Sequence, residues 1–273
     1  MRKISNVLRA ASCCTFSLLM CLPAAGQDAW SQADCVTLLD STAVTVQPNG
    51  SGSFAVYRSF RVQTPKGAVN NHVIKYDYDP LTAFARFKQV TLQRANGETV
   101  QVDVTKTCDY AAPARAIYWG ARQIMIELGS LEPGDTVSYE ISKKGFTYAL
   151  LAGGEDDDTR FIPPMRGQFY DIVPFWVDQP TRRKVYTVSM PMEKELQFQF
   201  YNGACASSMR YEDGRKVYTF AKNEVLPFGR EPNMVDLFDE APNLMMSSTP
   251  RWEDKSPWFH DLNEAYGSFD ALP

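Results

Sequence analysis

The sequence predicts an all-β protein built as an antiparallel β-sandwich, and three observations support this. Apolar and polar side chains alternate along segments such as 99–104, 185–190 and 197–200, the pattern of strands with one buried face. Asn96-Gly97 and Asp213-Gly214 supply the positive φ that tight hairpin turns need. The apolar spacing of an amphipathic helix is almost absent before the last part of the chain.

An acidic segment interrupts the alternation near the middle of the chain. Residues 153–158 combine two glycines with four consecutive carboxylates, and Pro163-Pro164 follow. The spaced ligands of a Ca²⁺ loop are missing, so we interpret the segment as a solvated loop. It lies either within one sandwich or between two sub-regions, and both arrangements stay open.

The C-terminal segment predicts a linker followed by a short amphipathic helix. Ser256 is a good N-cap, and Pro257 suits the first helical position. Apolar residues then recur on one helical face: Trp258, Leu262, Ala265, Tyr266 and Phe269. Such a face needs a surface that buries it, either the sandwich itself or a partner.

The N-terminus matches a secretory signal peptide. A positively charged start precedes an apolar run over residues 13–22, and small residues follow at 24–26. The run is shorter than the ~20 residues of a permanent membrane span. We expect an exported protein, periplasmic or secreted, without a transmembrane segment. A lipid-anchored outer-membrane form through Cys21 is less favoured, because Met20 precedes that cysteine.

Charge and composition exclude several functions. The chain has 28 Lys and Arg against 32 Asp and Glu, and three of the basic residues lie in the signal peptide. The remainder therefore carries a net charge of −7 without a basic cluster, which argues against nucleic acid as a partner. Phosphate-binding loops, dinucleotide fingerprints and nucleophile elbows are absent.

The cysteines and histidines outside the signal peptide are few and scattered: Cys35, Cys108, Cys205, His72 and His260. We expect no metal site, no cofactor and no catalytic residue. The cysteines are interpreted as small core residues, with one long-range disulfide as the alternative. A hydrolase with an unrecognised site also stays open, since two carboxylates suffice for glycoside hydrolysis.

Tyr170, Phe175 and Trp176 form an aromatic cluster after the acidic segment and are candidate ligand-binding residues. Aromatic side chains offer a large apolar surface to a sugar or peptide, and those of Tyr and Trp add a polar atom. Core packing is the alternative for these residues. Tyr118-Trp119 present the same choice.

Several strand-and-turn segments resemble a bacterial domain of unknown function, family 3857. They read HVIKYDYDP from His72, ANGETVQVDV from Ala95, LEPGDTVSYEI from Leu131, VYTVSMP from Val185 and YEDGRKVYTF from Tyr211. The resemblance extends over roughly residues 53–269. Members of this family usually precede a transglutaminase-like, papain-type cysteine domain in exported envelope proteins. The resemblance therefore implies a β-sandwich with an accessory role.

The expected division is a signal peptide at 1–26, a β-sandwich domain at 27–248, and a linker and helix at 249–273. The last segment resembles the entry to a transglutaminase-like domain. The chain ends at Pro273, before the Cys, His and Asp of such a domain's triad. A stand-alone form, a fragment and one part of a split pair all stay open.

We therefore expect a non-catalytic accessory or interaction domain of an exported transglutaminase-like system. Its partner would be a transglutaminase-like cysteine-domain protein, docked through Trp252, Trp258, Phe259, Leu262 and Tyr266. A glycan- or peptide-binding module that uses Tyr170, Phe175 and Trp176 is the first alternative, and the hydrolase is the second.

Overall fold

The computed structural model describes residues 29–113, 120–147, 161–163 and 165–266, without the side chains of Trp252 and residues 261–266. The predicted signal peptide, Tyr118-Trp119 and the acidic segment 153–158 lie outside these residues. The prediction of an all-β, mainly antiparallel fold with a short C-terminal helix is confirmed. Within the described part of the chain, no helix is both long and apolar enough to cross a membrane.

Fourteen strands form in this part of the chain: β1 Cys35–Val46, β2 Gly52–Val62, β3 Val73–Tyr78, β4 Ala83–Gln93, β5 Thr99–Gln101, β6 Cys108–Ala111, β7 Arg122–Glu127, β8 Thr136–Gly145, β9 Tyr170–Pro174, β10 Thr181–Pro191, β11 Gln197–Tyr201, β12 Ala206–Glu212, β13 Arg215–Val225 and β14 Asn243–Ser247. The helices are α1 Pro65–Asn70, α2 Leu237–Glu240 and α3 Trp252–Tyr266, and Val104–Lys106 form a 3₁₀ turn.

One long sheet runs through both halves of the chain, in the order β12-β13-β10-β1-β2-β8-β4-β5. Its neighbouring strands are antiparallel except β1 and β10, which pair in parallel with Val44 opposite Val188. We call this parallel pair of strands the seam, because it joins the strands from the first half of the chain to the strands from the second half. A parallel pair requires a crossover connection rather than a hairpin, and here most of the domain separates the two strands.

Two small sheets cover the same face of the long sheet. The first small sheet has the order β3-β7-β6, and the second has the order β11-β14-β9. Alternate residues of β2 point toward both: Phe60 and Val62 belong to the first hydrophobic core, and Phe54 belongs to the second. Ile124 of β7 closes the first core, and Leu244 of β14 closes the second. The structure thus has two sub-regions over one continuous sheet.

The turns follow the residue types that the sequence provides. Gly97 and Gly214 have φ of +91° and +69°, and Asp213 has φ of +48°. Asp213-Gly214 therefore form a two-residue turn with positive φ at both positions, which matches the twist of the strands it joins. The connection between β4 and β5 is longer, and only Gly97 of the Asn96-Gly97 pair has positive φ. The prediction of hairpin turns at these sites is confirmed, since β4 pairs with β5 and β12 pairs with β13.

The predicted start of the C-terminal helix is wrong by five residues. α3 begins at Trp252, and Pro257 lies inside it rather than at its first position. Glu253 and Asp254 occupy the first turn, where carboxylates are favourable beside the positive end of the helix dipole. Arg251 supplies a carbonyl oxygen to the Asp254 N–H at 3.2 Å. Proline has no N–H to donate, so α3 lacks one backbone hydrogen bond at Pro257.

Candidate functional site

The predicted aromatic cluster after the acidic segment does not form one platform. Phe175 has no exposed surface and packs edge to face against Phe200, with ring centroids 5.1 Å apart. A fully buried ring fills the core, so Phe175 is corrected from a ligand-binding residue to a core residue. Tyr170 and Trp176 are half-buried; Tyr170 begins β9, and Trp176 lies two residues beyond the end of that strand. Trp176 packs edge to face against Phe238 of α2 at 4.8 Å.

The first half of α3 lies beside the second small sheet. Trp258 and Phe259 are half-buried, and their rings meet edge to face at 4.8 Å. Lys255 Nζ is 5.7 Å from the centre of the Phe259 ring and 6.0 Å from the centre of the Tyr170 ring. The structure thus brings together residues of both predicted sets. We call Tyr170, Lys255, Trp258 and Phe259 the α3 patch.

Of the other predicted docking residues, the structure describes only the backbone. Trp252, Leu262 and Tyr266 are helical, but their side chains lie outside the described set. Gln197 Nε2 donates to the Pro250 carbonyl at 2.5 Å and attaches the start of α3 to β11. The helix therefore leaves the second small sheet from a defined position.

A charged cleft separates the two small sheets, and the sequence analysis missed it. It encloses a cavity of about 230 Å³. Its floor is the long sheet, which contributes Asp40, Arg58, Lys143 and Lys184. Its walls come from the edge strands of the small sheets, with Tyr76 on β3 and residues 171–174 on β9.

Asp40 is the centre of an ion triplet on the floor of the cleft. Its Oδ2 accepts hydrogen bonds from Lys184 Nζ at 2.8 Å and from Arg58 at 2.9 Å. Burial raises the pKa of Asp40, but the two cations outweigh burial and the pKa is lowered overall. Asp40 is therefore ionised at neutral pH. One carboxylate faces two cations, so the triplet carries a net positive charge.

Asp171 is the second carboxylate of the cleft, and three donors surround it. Its Oδ1 accepts from Thr147 Oγ1 at 2.8 Å and from the Ile172 N–H at 2.9 Å, and its Oδ2 accepts from the Tyr186 hydroxyl. Burial, together with the nearby Asp171 charge, raises the pKa of Tyr186 well above its ordinary value and raises that of Tyr76 to about 12. Both tyrosines stay protonated as donors.

Lys143 is the third cation of the cleft. Its Nζ lies 4.6 Å from the centre of the Phe54 ring, a cation–π distance. No carboxylate in the described part of the chain lies within ion-pair distance of it. Burial lowers the pKa of Lys143, and Asp171 opposes this shift.

The strand pattern contained a signal for this cleft. Arg58 shares one face of β2 with Phe54, Val56, Phe60 and Val62, so an ionised residue occupies a row of inward-facing apolar positions. Charged residues are almost never buried unless they are paired. A charge in an inward-facing row therefore indicates a paired or functional group.

The cysteines lie apart from the cleft and from each other. Cys35 is buried, Cys108 is exposed, and all three described cysteines are free thiols. Burial raises the pKa of Cys35 to about 11 and raises that of Cys205 as well, which disfavours the reactive thiolate. Within the described residues, no group of three His, Cys, Asp or Glu side chains could hold a metal ion.

Comparison with known proteins gives one family match. The family model for a domain of unknown function with a solved structure (DUF3857) matches residues 48–228. No curated protein matches the sequence.

Solved structures align with this chain at low identity, and the first of them shares its fold. A presumed protease from Parabacteroides distasonis is 17% identical, with a TM-score of 0.61 over 80% of this chain. An M1 zinc metallopeptidase from Deinococcus radiodurans is 13% identical, with a TM-score of 0.39 over 79% of this chain. The matched regions cover only 41% and 42% of those two proteins, so this chain spans less than half of their length.

Proposed function

Because the chain belongs to the DUF3857 family, we propose that it is a non-catalytic accessory domain of an exported transglutaminase-like system. It acts by docking a transglutaminase-like cysteine domain against the α3 patch. The proposal includes export by the N-terminal signal peptide, to the periplasm or the medium.

The observation that carries this proposal is the α3 patch itself. Trp258 and Phe259 remain only half-buried although they sit next to Tyr170 and Lys255. Aromatic residues are enriched in the cores of protein interfaces, and Trp and Tyr are enriched among the residues that contribute most binding energy. Support also comes from the Parabacteroides structure, in which the shared fold occupies less than half of a longer chain.

A pull-down from envelope extract tests the docking role. The mature chain should capture a protein that mass spectrometry identifies as containing a transglutaminase-like cysteine domain. Trp258→Ala should abolish this capture, because interface aromatics often contribute 2 kcal/mol or more of binding energy, roughly thirtyfold in affinity.

Tyr211→Ala is the matched control. Tyr211 is 64% exposed on the edge strand β12, which belongs to the long sheet rather than to the α3 patch, and its removal should leave capture unchanged. Equal capture by wild type and Trp258→Ala would contradict the docking role. Capture of proteins without a cysteine domain would contradict the proposed partner.

A further inference from the structure

We propose that the cleft between the two small sheets is a binding site for a small organic carboxylate. The inference is independent of the docking role of α3. It rests on the shape of the cleft and on an inventory of its hydrogen-bond donors and acceptors.

Both carboxylates of the cleft already accept hydrogen bonds from protein donors. Asp171 receives hydrogen bonds on both oxygens, from Thr147, Ile172 and Tyr186. Asp40 receives two hydrogen bonds on Oδ2, from groups that are both cationic. A cationic ligand would have to compete with protein cations for these carboxylates, and the cleft therefore disfavours one.

The donors of the cleft are in excess. Arg58 Nε is buried and has no hydrogen-bond partner among the described residues, although the Tyr139 hydroxyl lies close to the same guanidinium. Lys184 uses one of its three N–H groups on Asp40. Lys143 faces the Phe54 ring without a carboxylate at ion-pair distance in the described chain. Buried donors are normally paired, so these groups fit a ligand that brings acceptors and a negative charge.

The ligand must also be small, and side chains must hold it. A cavity of about 230 Å³ is below the usual range for drug-sized ligands, roughly 300–1,000 Å³. Edge strand β9 is a poor template for an added peptide strand, since Pro174 has no N–H and the Ile172 N–H already donates to Asp171. The site therefore suits a single acidic unit, such as an acylated amino acid or a sugar acid.

Isothermal titration calorimetry of the full chain tests the proposal with four probes. N-acetyl-L-alanine and D-glucuronate represent the two sources of a carboxylate, N-acetyl-L-alanine amide is the neutral analogue, and inorganic phosphate is a different anion. At least one carboxylate should bind with a Kd below about 1 mM, and the amide should give no heat of binding. The tighter of the two carboxylates identifies the source.

Lys143→Met should weaken carboxylate binding by about tenfold or more, because it removes a charge-assisted contact. Lys144→Met is the matched control, since Lys144 is the exposed neighbour on the opposite face of β8 and its loss should leave affinity unchanged. Arg58→Lys keeps a charge opposite Asp40 and removes the Nε–H, so it gives a second test should Lys143→Met fail to fold.

Three results would overturn the assignment. They are binding of the amide as tightly as the acid, phosphate binding without carboxylate binding, and unchanged affinity in both cleft variants. Absence of heat from every probe at millimolar concentration would also overturn it.

Discussion

Replacing Asp40 by Asn should destabilise the domain strongly. The substitution leaves Lys184 and Arg58 without their shared carboxylate, and these side chains are 13% and 42% exposed. Breaking a buried ion pair by removing one partner costs about 3–5 kcal/mol. The exposure of Arg58 puts the expected loss at the lower end, about 3 kcal/mol. For a domain of this size that corresponds to a melting point lower by roughly 6–12 °C.

Urea denaturation at pH 7 measures the loss directly. Ionised Asp40 stabilises the folded protein, and its pKa is lower in the folded state than in the unfolded chain, where it is near 3.8. This stabilisation is therefore fully present above the pKa of the unfolded chain. The difference between wild type and Asp40→Asn should therefore persist from neutral pH down to about pH 4, and shrink as the pH falls through the folded pKa.

Glu224→Gln is the control for the Asp40 prediction. Glu224 pairs with Arg182 on the surface, where both side chains are more than half exposed. Glu224→Gln should therefore change the free energy of unfolding by no more than about 0.5 kcal/mol. Adding Lys184→Met to Asp40→Asn should recover part of the lost stability, because it removes one of the unpaired cations. A free energy of unfolding for Asp40→Asn within about 1 kcal/mol of the wild-type value would refute the reasoning.

Two further predictions concern other buried groups. Asp135→Ala should lower the free energy of unfolding by about 3 kcal/mol in urea titrations, because buried Asp135 accepts from the Ala95 and Glu132 N–H groups and from Arg94; a loss below about 1 kcal/mol would contradict this. A thiol reagent at pH 8 should label exposed Cys108 rapidly and Cys35 only after unfolding, since Cys35 is buried with a pKa of about 11. Equal labelling rates in the native protein would show that Cys35 is accessible.

Local sequence patterns predicted most of the local structure, but the strand predicted over 99–104 ends at Gln101, and Val104–Lys106 form a 3₁₀ turn. Period-two alternation marked β10 and β11, and Asn-Gly and Asp-Gly pairs marked two hairpins. These features depend on neighbouring residues, which a single sequence displays. The parallel pairing of β1 with β10 has no local sequence signal, because the paired residues are far apart in the chain: Asp40 and Lys184 are separated by 144 positions.

The candidate sites were harder to predict than the strands. An aromatic residue in a strand does not reveal which face it occupies, and Phe175 was wrongly included with Tyr170 for that reason. The cleft needs residues from four strands of the long sheet and from both small sheets. Its charges become recognisable as one group only after the sheet order is known. The start of α3 was predicted wrongly because proline is common at the first position of a helix but is not confined to it, and Pro257 lies inside α3.

The seam between β1 and β10 constrains the order in which this chain can fold as it emerges, N-terminus first, into the compartment where it folds. β1 can pair with β2 as soon as both have emerged, but its other edge stays open until β10 has emerged. Open strand edges template pairing with other chains, and contacts between distant residues form slowly. The partly emerged domain is thus prone to aggregate, and a chaperone that shields the outer edge of β1 would protect the chain for the whole interval.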